Sequence, residues 1–356
     1  MALQRPACPG AVLLALFVSS ACCPGAAVRL APGRKEMREA EALSVPPVLA
    51  AMPGFQADPA TGGARHLPPA LTRLSRQSLQ HQRDEVVLHA LRDPWWVGNR
   101  HLHLVTVETR PNRTKIRGIK NIGLQHKWRG FVTKLEIVTN WLDDCKDDCK
   151  NGKDHIIVVD GDDTLFGGCS QEQFLHDYRE IVNSSGGAEV VIGAERGCYD
   201  LPKPWTCQDM PEVPQWAYRD WKLASGGKRM KCSPLDASGQ MRFLNSGFLT
   251  GPADQLREIF RWSLDKMVAG MRQRVTDQHF VAEYFLSKPG RAALDYASSL
   301  VTSGYSLNVT ALFKLLPGGG LYNRVTHKHQ CFFHANGASV SAAQGIISWQ
   351  QRGGMP

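Results

Sequence analysis

Apolar residues follow two different spacings along the middle of the chain, and the two alternate. Short apolar runs typical of buried strands lie at 101–107, 156–159, 188–192, 243–250 and 331–333. Between them, apolar residues recur at helical spacing after residue 131, around Phe174, after Pro252 and from Thr276 onward. We expect Pro252 to be the first residue of its helix, because that position leaves the amide hydrogen that proline lacks unbonded. The alternation predicts an α/β fold with a mainly parallel central sheet.

The N-terminal region shows no such alternation. Arg5 precedes an apolar run at 11–18, and small residues follow it. This run is shorter than the roughly 20 residues of a membrane-spanning helix, so a cleaved signal peptide is predicted at 1–27 and no membrane span. Residues 28–98 are rich in Ala, Pro, Gly, Arg and Gln and are expected to form a flexible stem. The predicted folded domain is 99–350.

Charge narrows the class of partner. The 356 residues carry a formal net charge of +9, which indicates an anionic partner such as a nucleotide phosphate or an acidic glycan. Basic residues do not form a stripe interleaved with aromatics, and we see no nucleic-acid motif. We therefore do not expect the chain to bind nucleic acid.

Cysteines and sequons predict a compartment. Two cysteine pairs are close enough in sequence for short disulfide loops, Cys145 with Cys149 and Cys198 with Cys207. Three Asn-x-Ser/Thr sequons begin at Asn112, Asn183 and Asn308. With the apolar leader, these features predict a location in the endoplasmic reticulum, in the Golgi or outside the cell.

Residues 158–166, Val-Val-Asp-Gly-Asp-Asp-Thr-Leu-Phe, place three acids directly after an apolar run. Ligands of open α/β sheets bind outside the carboxyl ends of the strands, where these acids are expected. Two functions fit the stretch. In a haloacid-dehalogenase-type phosphatase, Asp160 would be the nucleophile and Asp162 the acid/base. In a glycosyltransferase, paired acids hold a divalent metal against a nucleotide-sugar diphosphate, and Mg2+ or Mn2+ suits such an oxygen cluster.

The rest of the chain favours the glycosyltransferase. A phosphatase requires a lysine and a second acidic cluster after later strands, and the sequence beyond residue 190 contains neither in a suitable context. The stretch 244–248 offers amide and hydroxyl groups suited to a sugar or its phosphates, with Asn245 as the candidate contact. His334 follows the last predicted strand, where a neutral imidazole can join two aspartates around a metal.

Eight short motifs occur in the same order as in one known family of domains. They are Val105-Thr106-Val107 with Thr109; Trp128-Arg129-Gly130; Lys134; Val159-Asp160 with Asp163; Ala194-Glu195 with Cys198; Leu244-Asn245-Ser246-Gly247; Asp277-Gln278; and His334 with Asn336-Gly337. Over roughly residues 101–337 the chain resembles the N-terminal glycosyltransferase domain of the procollagen lysyl hydroxylases.

That resemblance implies a GT-A-like, Rossmann-type domain that uses Mn2+ and a UDP-sugar, either UDP-glucose or UDP-galactose. The acceptor in the family is hydroxylysine or galactosyl-hydroxylysine in collagen. By position, the resemblance implies three metal ligands, Asp160, Asp163 and His334. It also implies nucleotide contacts from Thr109, Trp128 and Lys134, and it puts Asp277 close to the transferred sugar.

The chain departs from the family at two positions of the implied site. Asp162 stands where the family has an aromatic residue between its metal-binding acids, beside the nucleotide. Tyr199 stands where the family has a tryptophan on the acceptor side. The sequence also shows no His-x-Asp with a later His of an iron dioxygenase, so we expect no hydroxylase half.

The sequence therefore predicts a metal-dependent transferase that moves glucose or galactose from a UDP-sugar to a protein or glycan acceptor, which can be collagen-like. Asn245 and Asp277 are predicted to position the sugar. Two alternatives stay open: the phosphatase that uses Asp160 and Asp162, and a non-catalytic glycan-binding relative. The second alternative follows from residues 274–276, Arg-Val-Thr, which replace the run of acids that precedes Asp277 in the family.

Overall fold

A computed structural model describes residues 94–145, 152–199, 201, 203–227, 233–270 and 275–352. The predicted signal peptide at 1–27 and the predicted stem up to residue 93 lie outside these residues. Within them, Trp96 is buried and packs edge-on against Phe166, and Trp95 donates its indole N–H to the carbonyl of Cys169. The tryptophan pair therefore belongs to the folded unit.

Strands and helices alternate along the chain, as the apolar spacing predicts. The first half contains β1 (Leu102–Thr106), β2 (Lys120–Asn121), α1 (Val132–Asp144), β3 (His155–Val159), β4 (Thr164–Phe166), α2 (Gln171–Ser184) and β5 (Val190–Glu195). The second half contains β6 (Phe243–Pro252), α3 (Ala253–Ala269), α4 (Asp277–Ser287), β7 (Ala292–Leu294), β8 (Val301–Ser303), α5 (Val309–Leu312), β9 (Phe313–Leu316), β10 (Gly320–Asn323), β11 (Lys328–His329), β12 (Phe332–His334) and α6 (Val340–Gln351).

Six strands form the central sheet in the order β2-β1-β3-β6-β5-β7. The pairs β1–β2, β1–β3 and β5–β7 are parallel, whereas β6 runs antiparallel to both β3 and β5. The prediction of an α/β fold with a mainly parallel central sheet is thus confirmed, with one reversed strand at its centre. Two three-stranded sheets, β4-β12-β8 and β11-β10-β9, complete the strand pairing of the described residues.

The core lies on both faces of the central sheet. Successive residues of a strand point to opposite faces, so Ile156 and Val158 of β3 join one apolar cluster while Ile157 and Val159 join the other. Helices α1 and α3 pack against each other in the first cluster. Helix α2 contributes Phe174 to the second cluster. Burial on both faces explains why this strand is an unbroken apolar run in the sequence.

One predicted detail differs from the structure. Pro252 is not the first residue of its helix: it adopts an extended conformation at the end of β6, and α3 begins at Ala253. Between β5 and β6, the described residues contain two short 3-10 turns, at Gln215–Ala217 and Trp221–Ala224.

Two disulfides link described residues. Cys198–Cys207 confirms the predicted short loop. Cys169–Cys331 joins residues 162 positions apart and was not predicted. Cys145 is disulfide-bonded as well, whereas Cys149, its predicted partner, lies outside the described residues. Among the helices that the structure describes, none combines the length and the apolar composition needed to cross a bilayer.

Candidate functional site

The acidic stretch after β3 meets the end of β12. Strand β4, which follows Asp163, pairs antiparallel with β12, and Thr164 lies opposite His334. The amide of Ala335 donates to the carbonyl of Asp163 at 2.8 Å, and the amide of Asp160 donates to the carbonyl of Gly247 on β6 at 3.1 Å. A small sheet and the central sheet therefore join where the acids lie, and this junction fixes the backbone on both sides of the turn.

Asp160, Asp163 and His334 form the cluster that the sequence predicted as metal ligands. Each offers one ligand atom, and these atoms lie within 4.8 Å of one another. The Nε2 atom of His334 is 3.3 Å from Oδ1 of Asp163 and 3.6 Å from Oδ2 of Asp160. Two carboxylates and one imidazole are a donor set that suits Mn2+, and carboxylates also suit Mg2+.

The orientation of the His334 ring is fixed from behind. Its Nδ1 atom is 2.8 Å from Oδ1 of Asn245, a side-chain amide oxygen that can only accept, so Nδ1 carries the proton and Nε2 faces the aspartates. Burial opposes a charged ring, but the Asp163 and Asp160 carboxylates outweigh it and raise the pKa of His334. Metal-ligating histidines typically donate their second N–H in this way. The observed contacts therefore fit a histidine ligand.

Asn245 thus orients the ring, and its predicted contact with the sugar stays a prediction. Gly247, two residues after Asn245 on β6, leaves the space in which the His334 ring lies. A Cβ atom at Gly247 would lie 2.0 Å from Cε1 of His334, so only glycine leaves room for the ring.

Lys134 lies inside the protein between two carboxylates. Its Nζ atom is 2.7 Å from Oδ1 of Asp160, 2.8 Å from Oδ2 of Asp277 and 3.0 Å from the carbonyl oxygen of Ser246. Burial lowers the pKa of Lys134, but the two aspartates outweigh it and hold the pKa above its usual value. The lysine is therefore charged; it donates hydrogen bonds to Asp160 and to the carbonyl of Ser246 and forms an ion pair with Asp277.

The charges of this region are matched to a divalent cation. With His334 neutral, as metal ligation requires, Asp160, Asp163 and Asp277 supply three negative charges and Lys134 one positive charge, which leaves a net charge of −2. Such a cluster of like charges at the surface of a cavity is unfavourable by itself and is relieved by a cation. Charge and donor type thus agree on the kind of ion that the residues can hold.

Glu195 belongs to the site although the sequence analysis gave it no role. It ends β5, is almost fully buried and accepts hydrogen bonds from three side-chain amides: Asn245 at 3.2 Å, Gln278 at 3.1 Å and Asn336 at 2.8 Å. Burial raises the pKa of Glu195 to about 7, against the three amides, which lower it. An acid that ends an apolar strand was the available signal, but its partners come from three distant segments.

Two cavities open beside the cluster. The larger cavity, about 450 Å3, is lined by the predicted nucleotide contacts Thr109, Trp128 and Lys134. Asp162, expected beside the nucleotide, and Arg110 line it as well. The smaller cavity, about 250 Å3, is lined by Glu195, Asn245, His334 and Tyr199, the predicted acceptor-side residue. Four residues line both cavities: Phe131, Asp160, Asp163 and Asp277. The cavities therefore adjoin at the aspartates.

Asp162 is the member of the acidic stretch with a different partner. Its Oδ2 atom accepts a hydrogen bond from Nη2 of Arg110 at 3.0 Å. Its side chain lies in the wall of the larger cavity and is not part of the three-residue cluster.

No protein-family model matches this chain, and the search of curated proteins found no match either. Fold and site together define the class: an α/β protein with a cluster of two aspartates and one histidine between two adjoining cavities.

Proposed function

We propose that the chain is a metal-dependent glycosyltransferase of the GT-A type that transfers glucose or galactose from a UDP-sugar to a protein or glycan acceptor. An acceptor of hydroxylysine type, in a collagen-like protein, fits the sequence resemblance. The disulfides fit a place in the lumen of the secretory pathway or outside the cell.

The observation that carries this proposal is the meeting of two cavities at the aspartates. A group transfer between two substrates needs a donor site and an acceptor site that share the place of reaction. Here Asp160, Asp163 and Asp277 border both cavities. We assign the larger cavity to the nucleotide of the donor and the smaller cavity to the acceptor.

Asp160, Asp163 and His334 would hold the Mn2+ or Mg2+ ion. When bound, the ion supplies Lewis-acid stabilisation of the charge that develops on the departing UDP. The chain's own residues do the remaining work. Lys134 holds Asp160 and Asp277 in fixed positions by its two ion pairs. Asp277, in the first turn of α4, lines both cavities. We assign it the role of orienting the sugar during transfer.

The acceptor side is shaped by the amides around Glu195. Asn245, Gln278 and Asn336 are all fixed by this one carboxylate, and all three line the smaller cavity with Tyr199. A rigid polar wall of this kind positions a hydroxyl nucleophile without a free-energy cost for reordering side chains.

The test is UDP release from UDP-glucose and UDP-galactose by the purified chain with Mn2+. We expect release in the wild type and a loss of about 100-fold or more in His334→Ala, since a metal ligand is removed. His327→Asn is the matched control, because His327 is exposed and its positive φ of 57° is one that asparagine tolerates.

Two other results would replace the proposal. Cleavage of a phosphate ester that survives in His334→Ala but is lost in Asp162→Asn would identify a phosphatase with Asp160 as nucleophile. Binding of a nucleotide or a glycan without turnover of either donor would identify a non-catalytic glycan-binding relative.

A further inference from the structure

Arg110 lies in the wall of the larger cavity and is held at several points although its side chain is 56% exposed. Its Nε and Nη2 atoms donate to the two oxygens of Glu108 at 2.9 and 2.7 Å, which is a bidentate pair. Nη2 also donates to Asp162 at 3.0 Å, and the backbone amide of Arg110 donates to Glu108 at 2.8 Å. An exposed arginine held in this way has lost the rotamer freedom that such side chains normally keep.

Glu108, which holds the side chain of Arg110, is itself held in place by burial and by hydrogen bonds. Its side chain is only 6% exposed, and its backbone amide and carbonyl both bond to the side chain of Asn121, at 3.0 and 2.8 Å. Burial opposes the charge of Glu108, but the bonds from Arg110 outweigh it and lower its pKa. The carboxylate is therefore charged and holds the plane of the guanidinium group in one orientation.

The charge of this group does not suit a phosphate. Glu108 and Asp162 contribute two negative charges and Arg110 one positive charge, so the three side chains carry a net charge of −1. The edge formed by Nε and Nη2, one of the two edges with which an arginine binds a phosphate, is occupied by the two carboxylates. These hydrogen bonds run along one edge of the guanidinium plane and do not use its two faces.

A flat guanidinium surface is a stacking partner for a planar aromatic ligand, and nucleobases stack on arginine as they do on aromatic side chains. Trp128 and Phe131 line the same cavity, are partly exposed and contact each other edge to face at 5.8 Å. We propose that the nucleobase of the donor stacks on the guanidinium plane of Arg110, which Glu108 and Asp162 hold in place. This inference rests on the proposed function and makes Arg110 a donor-binding residue.

The test compares the binding of uridine, UMP and UDP, with Mn2+, to the wild type and to Arg110→Met and Arg110→Lys, by calorimetry. Stacking needs the plane and not the charge, so we expect both variants to lose about tenfold in affinity, as for the loss of one base-stacking partner. The loss should be equal for all three ligands, because all carry the base and uridine carries no phosphate. Arg117→Met, at an exposed arginine that does not line the cavity, should bind all three ligands as the wild type does.

Three results would overturn the inference while leaving the transferase intact. The first is wild-type affinity in Arg110→Met, and the second is wild-type affinity in Arg110→Lys, which would mean that charge alone matters. The third is a loss for UMP or UDP but not for uridine, which would identify a phosphate contact. If the wild type bound neither nucleotide, the proposed function and the inference would both be wrong. Unchanged melting curves and Mn2+ affinity in the variants establish that the fold and the metal cluster are intact.

Discussion

Replacing Gly247 by alanine tests the metal cluster without removing a ligand. The added Cβ would lie 2.0 Å from Cε1 of His334, 2.4 Å from Nδ1 and 2.6 Å from Nε2, whereas ordinary contacts begin at 3.4 Å. To restore that distance, the ring must move by about 1.4 Å, which is the difference between 3.4 and 2.0 Å. The ring cannot recede freely, because Nδ1 is bonded to Asn245 and the side chain is buried.

A shift of this size exceeds what a metal site tolerates, since ligand distances vary by only about 0.2 Å around their ideal values. We therefore expect Gly247→Ala to bind Mn2+ at least about tenfold more weakly than the wild type and to lose UDP release in parallel. Electron paramagnetic resonance of free Mn2+ measures the affinity directly. Gly345→Ala is the matched control, because no atom lies within 4 Å of the Cβ that it adds in α6.

Wild-type Mn2+ affinity in Gly247→Ala, together with an unchanged melting temperature, would refute the role of His334 as a metal ligand. That pair of results would mean that the ring moves at no cost and does not ligate the ion. A lower melting temperature with unchanged Mn2+ affinity per folded molecule would likewise remove His334 from the ligand set.

Two further predictions concern stability. Burial lowers the pKa of His155 to about 4. Above the unfolded-state pKa of about 6.5, the neutral ring therefore contributes up to about 3 kcal/mol to the free energy of unfolding, and this contribution is lost as the pH falls to about 4. His155→Gln, which keeps a donor for the hydroxyl of Thr250, should flatten the pH dependence of the melting temperature in that window, whereas exposed His126→Gln should leave its slope as it is. Breaking the long disulfide with Cys169→Ser and its partner Cys331→Ser should cost about 5 kcal/mol of unfolding free energy, against about 3 for the short disulfide Cys198–Cys207, because the longer loop frees more chain entropy. Equal losses in chemical denaturation would contradict this.

The elements that the sequence predicted are those with a local signal. Strand β3 is five apolar or half-buried residues in a row, and α1 shows a helical stripe, so neighbouring positions are enough to identify them. Strands β4, β7, β8 and β12 have three residues each, too few for a period to show. The apolar run at 331–333 was enough to predict β12, but the pairing of β12 with β4 depends on contacts across the whole domain.

The candidate site divides in the same way. Asp160 and Asp163 were predictable because acids at the end of an apolar strand are a local pattern. The role of Glu195 was not, because its three amide donors lie 50, 83 and 141 positions away. Arg110 was missed for the same reason: its contact with Asp162 spans 52 positions and becomes visible only when β1 and β3 lie side by side. Distances between chain segments, which no local pattern encodes, decide these roles.

The three acids of the stretch after β3 fall into two groups, and this division bears on the function. A phosphatase of the haloacid-dehalogenase type needs Asp160 and Asp162 to act on one phosphorus atom. Asp162 instead pairs with Arg110 and lies outside the cluster that Asp160 forms with Asp163 and His334. Asp160 and Asp163, by contrast, converge on Nε2 of His334, which the carboxylate and amide behind it hold in place. The spacing that fits both enzymes in the sequence is thus arranged around the histidine, and this arrangement supports the proposed transferase.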